Sequence, residues 1–399
     1  MAKQTTRRIG KNGRRRRRSR LSTSNWGPIL ALSSVVLGVC VCVALVVFVA
    51  LPKLLPLVGV AYRAPFMPTP TPTPTMKPPP TPHPMALLDP SDAQSEVVFQ
   101  DYTDYSWFAD PYFYNNVLLL SGGKLVDGVV LMQNLIFYNP ADRSAEILDM
   151  QPENDHFMFA KFNDKWLVYL DALKNGGGNI MLLDRKAPNA KPILVKQVFA
   201  EQPELMLEQD ILAWTERTGS RMYKLFACDL NTLETTTVSM FSGTVYGQSL
   251  PCLMNGKLTW AAAESANGDL ARIYTADIQS GVIANYSPGT YAHDPEGDGL
   301  HTVWLDSNHA PGTKLYHAQS NGSPTEIDEN VVEFGLGQGF IAYGKSEEIW
   351  VYILDNRQTY RVSKEGQQAQ FLGVSDNKVI WMDVTSRERD IVKFAQIPT

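Results

Sequence analysis

Three carboxylates, Asp171, Glu216 and Asp306, each closely follow a short apolar run that ends in an aromatic residue. Acids brought from separate repeats to one channel mouth would suit a hydrolase or lyase acting on glycan or peptide, one group giving a proton and another taking it. Charged loop residues are common without any such duty. A binding role without turnover is therefore the leading expectation, and the enzyme is the alternative. Asp294, Glu296, Asp298 and Gly299 match the first half of a calcium loop, which needs oxygens at alternate positions and a glycine at the sharp bend. The twelfth position is Leu305 where glutamate is required, and a turn between strands accounts for the same residues. His83, His156, His293, His301, His309 and His317 form no His-x-x-x-His pair and no zinc spacing with cysteine. A Gly-x-Ser-x-Gly elbow, a P-loop and a dinucleotide fingerprint are all missing. Gly176-Gly177-Gly178 reads as a hairpin tip. The sequence calls for no cofactor and no metal, and it nominates no catalytic residue.

The elements that would carry such groups follow from charge and hydropathy. The first 25 residues hold ten Lys or Arg and no acid. From about residue 85 onward, 23 basic residues face 41 acidic ones, a net charge of −18. A domain so acidic should not bind nucleic acid or anionic lipid through its bulk charge. Gly27 to Leu51 contains no charged residue, enough to span a hydrocarbon core of about 30 Å at about 1.5 Å per residue. Trp26 and Lys53 stand at its two ends, where interfacial residues are favoured. The positive excess ahead of the run places the amino terminus in the cytoplasm and the carboxy-terminal domain outside the plasma membrane. A cleaved signal peptide is the rival reading, with Gly59-Val60-Ala61 the nearest candidate site, but the run exceeds the usual signal core of about 7–15 residues.

The expected organisation is a basic cytoplasmic tail over 1–25, a transmembrane helix over 26–52, an extended linker over 53–86 and an extracytoplasmic domain over 87–399. Residues 28–51 would contact the lipid bilayer, and the tail would attract anionic headgroups. Between Arg63 and Pro84 nearly every second residue is proline, so the linker is expected as polyproline II with a reach on the order of 60 Å. Cys40 and Cys42 fall in the apolar run. Cys228 and Cys252 are the pair beyond it, and either a disulfide or two buried thiols fits. Asn285-Tyr286-Ser287 and Asn321-Gly322-Ser323 are formal glycosylation sequons.

Beyond the linker the chain repeats. Trp166-Leu167-Val168-Tyr169 recurs as Ile211 to Trp214, Lys257 to Trp260, His301 to Trp304, Phe340 to Tyr343 and Lys378 to Trp381, at intervals of 38 to 46 residues. Val117-Leu118-Leu119-Leu120 is a weaker seventh copy. Each copy is followed by a second run that often ends in aspartate, such as Met181 to Asp184, and then by a third, such as Thr235 to Val238. About four short strands per unit and a period near 40 predict an all-β fold, a β-propeller of four-stranded blades, seven preferred and six possible. The aromatic run is taken as the innermost strand, with its aromatic packed in the core. The last unit shows two strands, and Glu96-Val97-Val98-Phe99 is placed to complete its sheet.

Asp294-Pro295-Glu296-Gly297-Asp298-Gly299 leading into His301-Thr302-Val303-Trp304 resembles the turn and apolar strand of the TolB-type propeller family, and Gln202-Pro203 ahead of Ile211 to Trp214 is a degenerate version. The resemblance implies a mainly non-catalytic interaction platform, often six-bladed. The expected partner is an envelope protein or glycan at one face of the ring.

Overall fold

Every apolar run that ends in an aromatic becomes the second strand of a four-stranded antiparallel sheet, and seven such sheets are present in the computed structural model. The structure describes residues 94–398 apart from 106, 127–128, 266–269, 308–311, 321 and 387–390. The expected tail, transmembrane helix and linker, with Cys40, Cys42, His83, His309 and Asn321, lie outside the described residues. Among the described residues no helix is long and apolar enough to cross a membrane. The helical content there is one 3-10 turn at Tyr102–Asp104.

Seven blades, not six, follow from the weak copy being a true one. Leu118, Leu119 and Leu120 are fully buried, and Leu120 stands where the other copies carry Tyr or Trp. Trp214, Trp260, Trp304, Tyr343 and Trp381 are all essentially inaccessible. A second strand is covered on both faces by neighbouring blades, and Trp166–Ala172 is buried at every position. Such strands read as continuous apolar runs instead of alternating ones. Aromatic side chains suit that place because each removes about 150–250 Å² from water.

The aromatic strand is one position further out than the sequence reading placed it. The ring is lined by the strands that precede it: Trp107–Tyr114, His156–Phe162, Met206–Glu208, Cys252–Met254, Ala292–Gly297, Val331–Gly337 and Ala369–Ser375. Each of these adjoins the first strand of the next blade, all the way round. Tight hairpins join first to second strands. Asn115-Asn116, Asn255-Gly256 and Asp376-Asn377 all have positive φ, as two-residue type I′ turns require.

Closure is made in blade 7. Its own strands number three, since Ala369–Ser375 precedes Lys378–Asp383 and Ile391–Gln396, and Gln94–Glu96 adds the fourth on the outer edge. Gln94 faces Ala395 and Glu96 faces Lys393, and Val97 N–H donates to the Val392 carbonyl at 2.9 Å. Behind this seam Val97, Phe99, Tyr102, Tyr105 and Phe108 pack with Ile380, Val392 and Phe394. An otherwise open sheet edge is thereby satisfied.

Candidate functional site: the central channel

The first strands carry the chemistry that the second strands lack. Five of them depart from regular pairing with their second strand, with register shifts at Ala109/Tyr112, Met158/Lys161, His293/Glu296, Val331/Glu333 and Phe371/Gly373. Asp110, Phe159 and Asp294 at these bulges take φ of 51°, 52° and 46°. A bulge re-aims the side chains around it. Proline follows at Pro111 and Pro295, tolerated because a bulged innermost strand leaves backbone N–H positions unused.

The re-aimed groups surround a cavity of about 430 Å³ at the ring centre, lined by Tyr112, Lys161, Glu204, Asp294, Glu296 and Glu333 together with the segment from Phe371 to Ser375. Several polar groups stitch blade to blade. Asp110 accepts from Phe159 N–H at 2.7 Å, Asp294 from Leu250 N–H at 2.7 Å, and Ser375 Oγ from Phe113 N–H at 2.7 Å. Glu296 accepts from Leu336 N–H. Lys161 Nζ lies 5.0 Å from the centre of the Tyr112 ring and is the cation among the lining residues.

Burial dominates the electrostatics. It pushes the Glu296 carboxyl up to about 7, the Leu336 N–H opposing and the charges of Glu204 and Asp294 adding to the rise. Asp110 is raised by burial against the lowering effects of the Phe159 N–H and Lys161. Glu204 and Glu333 are exposed to the channel, and desolvation by its walls raises both, with Lys161 opposing and Asp110 and Asp294 reinforcing at Glu204. The Cys252 thiol is held well above its usual value by burial first and by Glu296 next, which disfavours the reactive thiolate. Cys228 and Cys252 are free thiols, so the disulfide alternative is set aside. Glu296 can thus keep a proton near neutral pH, and the acids around it can accept a cationic group.

None of the three acids picked out from the sequence lines this cavity. Asp171 is buried and accepts from the Glu153 and Asn154 N–H groups at 3.2 and 3.0 Å, pinning the loop ahead of blade 2. Glu216 accepts from the Trp214 indole at 2.8 Å, and Asp306 from Tyr291 N–H at 3.2 Å. Burial raises the Asp171 carboxyl while the Glu153 and Asn154 N–H groups oppose the rise. Asp171→Asn, which keeps one acceptor oxygen, therefore trades weaker hydrogen bonds for a relieved desolvation cost: urea stability is expected to change by less than about 1 kcal/mol and amide exchange at Glu153 and Asn154 to speed up. The half-loop of calcium type is divided among different duties. Asp294 and Glu296 serve other blades, while Asp298 accepts from Leu300 and His301 N–H at 2.8 and 2.6 Å. Among the described residues no three His, Cys, Asp or Glu side chains are placed to share a metal ion. Asp294 and Glu296 stand out in the sequence only as half a calcium loop and a turn, and Glu204 and Glu333 give no signal there.

No family model matches the chain, and no curated protein matches it. Solved structures do. The β-propeller domain of the trilobed protease from Pyrococcus furiosus aligns at 13% identity with a TM-score of 0.57, covering 74% of this chain and 96% of that one. An oligogalacturonate lyase in complex with manganese aligns at 14% identity with a TM-score of 0.52, covering 76% and 93%. The likeness is one of fold. TolB from Acinetobacter baumannii aligns at 11% identity over 71% of this chain and 78% of its own, with a TM-score of 0.37 that carries no argument. A TolB-like reading rests on the turn motif and the propeller architecture.

Proposed function

We propose that this chain is a membrane-anchored, extracytoplasmic propeller that captures a partner protein of the cell envelope on one face of its ring. The charge asymmetry and the apolar run of 28–51 support the anchor and its orientation. The observation that carries the binding role is the set of exposed apolar side chains at one end of the ring, more numerous there than at the other, where Leu233, Val282 and Leu300 stand. The end of the ring bearing the second-to-third loops and the links between blades carries Trp107, Leu173, Phe199, Tyr246, Leu250 and Val332, with Phe199 81% and Val332 69% accessible. Leu250 and Val332 also line the channel, so apolar rim and acidic channel meet at one mouth. Exposed apolar groups round a channel mouth offer a partner apolar contacts, and a carboxylate-rich channel favours one that inserts a basic segment.

Crosslinking the full chain in its native envelope tests this. Wild type is expected to capture a discrete partner, and Phe199→Asp with Val332→Asp is expected to lose it at unchanged melting temperature. Equal capture by the double variant would sink the proposal. One observation favours the second reading, a hydrolase or lyase acting on envelope glycan or peptide: Glu296 held at about 7 among other carboxylates is suited to proton donation. That reading requires a turnover that Glu296→Gln abolishes.

A further inference from the structure

A second hollow of about 430 Å³ opens between blades 5 and 6, among the turns joining first to second and third to fourth strands. That is the opposite end of the ring from the apolar rim. His301, at the start of its strand, and His317, on the strand paired with it, bring their rings to 5.3 Å between centres. Asp298 orients His301, lying 3.2 Å from its Nδ1 and accepting from its backbone N–H. The Nε2 of His317 is buried and meets no hydrogen-bond partner in the described structure. Buried polar atoms are rarely left so, and such an orphan asks for a ligand atom or a water.

Arg357 enters the same hollow from the turn after Glu348–Ile353, where it takes φ of 56°. It is exposed, and among the described residues its guanidinium joins no ion pair and no hydrogen bond. In a domain whose net charge is −18, Arg357 brings a guanidinium to this hollow, while burial first, then the charges of His301 and Arg357, hold His317 below its usual value, so that it would meet an anion as a neutral N–H donor. The remaining lining limits what the anion belongs to. Asp355 offers carboxylate oxygens, which repel a second anion and accept from hydroxyls, and Ser323, Thr325 and Gln319 add short polar groups. Tyr352 and Leu354 give the floor an apolar patch. The volume suits one small ring, since ligand sites span about 300–1,000 Å³.

We propose that this hollow binds a sugar bearing a single oxyanion, either a carboxylate or a phosphate, with Arg357 and His317 on the oxyanion and Asp355 on the ring hydroxyls. The site is separate from the rim that would hold a protein partner. Calorimetric titration of the purified full chain with glucuronate, glucose 6-phosphate and glucose, each to about 10 mM, tests it. Saturable binding of glucuronate alone assigns the carboxylate, of glucose 6-phosphate alone the phosphate, and of both an oxyanion of either kind. Arg357→Gln, an exposed turn substitution expected to keep the melting temperature, should weaken that binding about tenfold or more. Arg357→Lys should retain part of it, because charge remains while the fork is lost. Binding of neither acid, equal binding of glucose, or unchanged affinity in Arg357→Gln overturns the proposal.

Discussion

Deleting residues 94–99 from the full chain is expected to abolish cooperative unfolding of the ring and to drive the protein into aggregates. The deletion removes the outer strand of blade 7, the bond from Val97 to Val392, and the buried side chains of Val97 and Phe99. Strand Ile391–Gln396 is then left with unpaired N–H and C=O groups on a long open edge, an invitation to pair with another copy. Tyr102, Tyr105 and Phe108 lose the aromatic partner against which all three pack, with ring centres 4.7 to 6.3 Å apart across the group. Size-exclusion chromatography with thermal melts gives the readout. A monomer melting in one transition near the wild-type temperature would mean that closure contributes little.

Glu296→Gln is expected to stabilise the protein at pH 8 and to leave its stability at pH 4 nearly unchanged. The direction follows from a folded pKa raised from 4.5 to about 7. Below the unfolded value the carboxyl is protonated in both states and imposes no penalty. As pH rises through the interval, the unfolded chain releases a proton that the native channel retains, so stability declines and levels off above the folded value. Glutamine escapes this penalty and keeps an oxygen to accept from Leu336 N–H. The gain at pH 8 should reach up to about 3 kcal/mol, because each tenfold change in proton affinity between the two states is worth about 1.4 kcal/mol. Urea midpoints at the two pH values decide it, and an equal gain at both would show that packing, not charge, was relieved. A stabilised variant that also loses capture or turnover would mark Glu296 as a residue kept for function at the expense of stability.

How much of this was legible in the sequence depends on which strand is considered. Second strands are covered on both faces, so Trp214, Trp260, Trp304 and Trp381 sit in apolar runs whose period stands out. First strands are short in blades 3 and 4, bulged in the other five, and half open to the channel, so neither alternation nor a long apolar run announces them. Taking the aromatic run as innermost followed from that silence. The acids that follow the second strands, Asp171, Glu216 and Asp306, accordingly lie one strand outward of the channel, occupied in holding loops and an indole. The last blade was read as two strands for the same reason, because Ala369–Ser375 is one of the bulged first strands. The closing role of the segment at Glu96 was visible, since its short apolar run belongs to no repeat of its own and blade 7 lacks a strand. The convergence of Glu204, Asp294, Glu296 and Glu333 was not, because residues spread over about 130 positions meet only through ring geometry.

The closing strand also decides how the ring feels a tug. The chain enters at the outer edge of blade 7, so tension arriving along the segment ahead of residue 94 falls first on the three-residue pairing of Gln94–Glu96 with Ile391–Gln396. Most of the bonds within the blades lie downstream of that point and are not in the loaded path. Were the ring tethered as proposed, this pairing would be a mechanical fuse: a pull would peel one short strand from its neighbour before any blade unfolds, and slack would let it reseat.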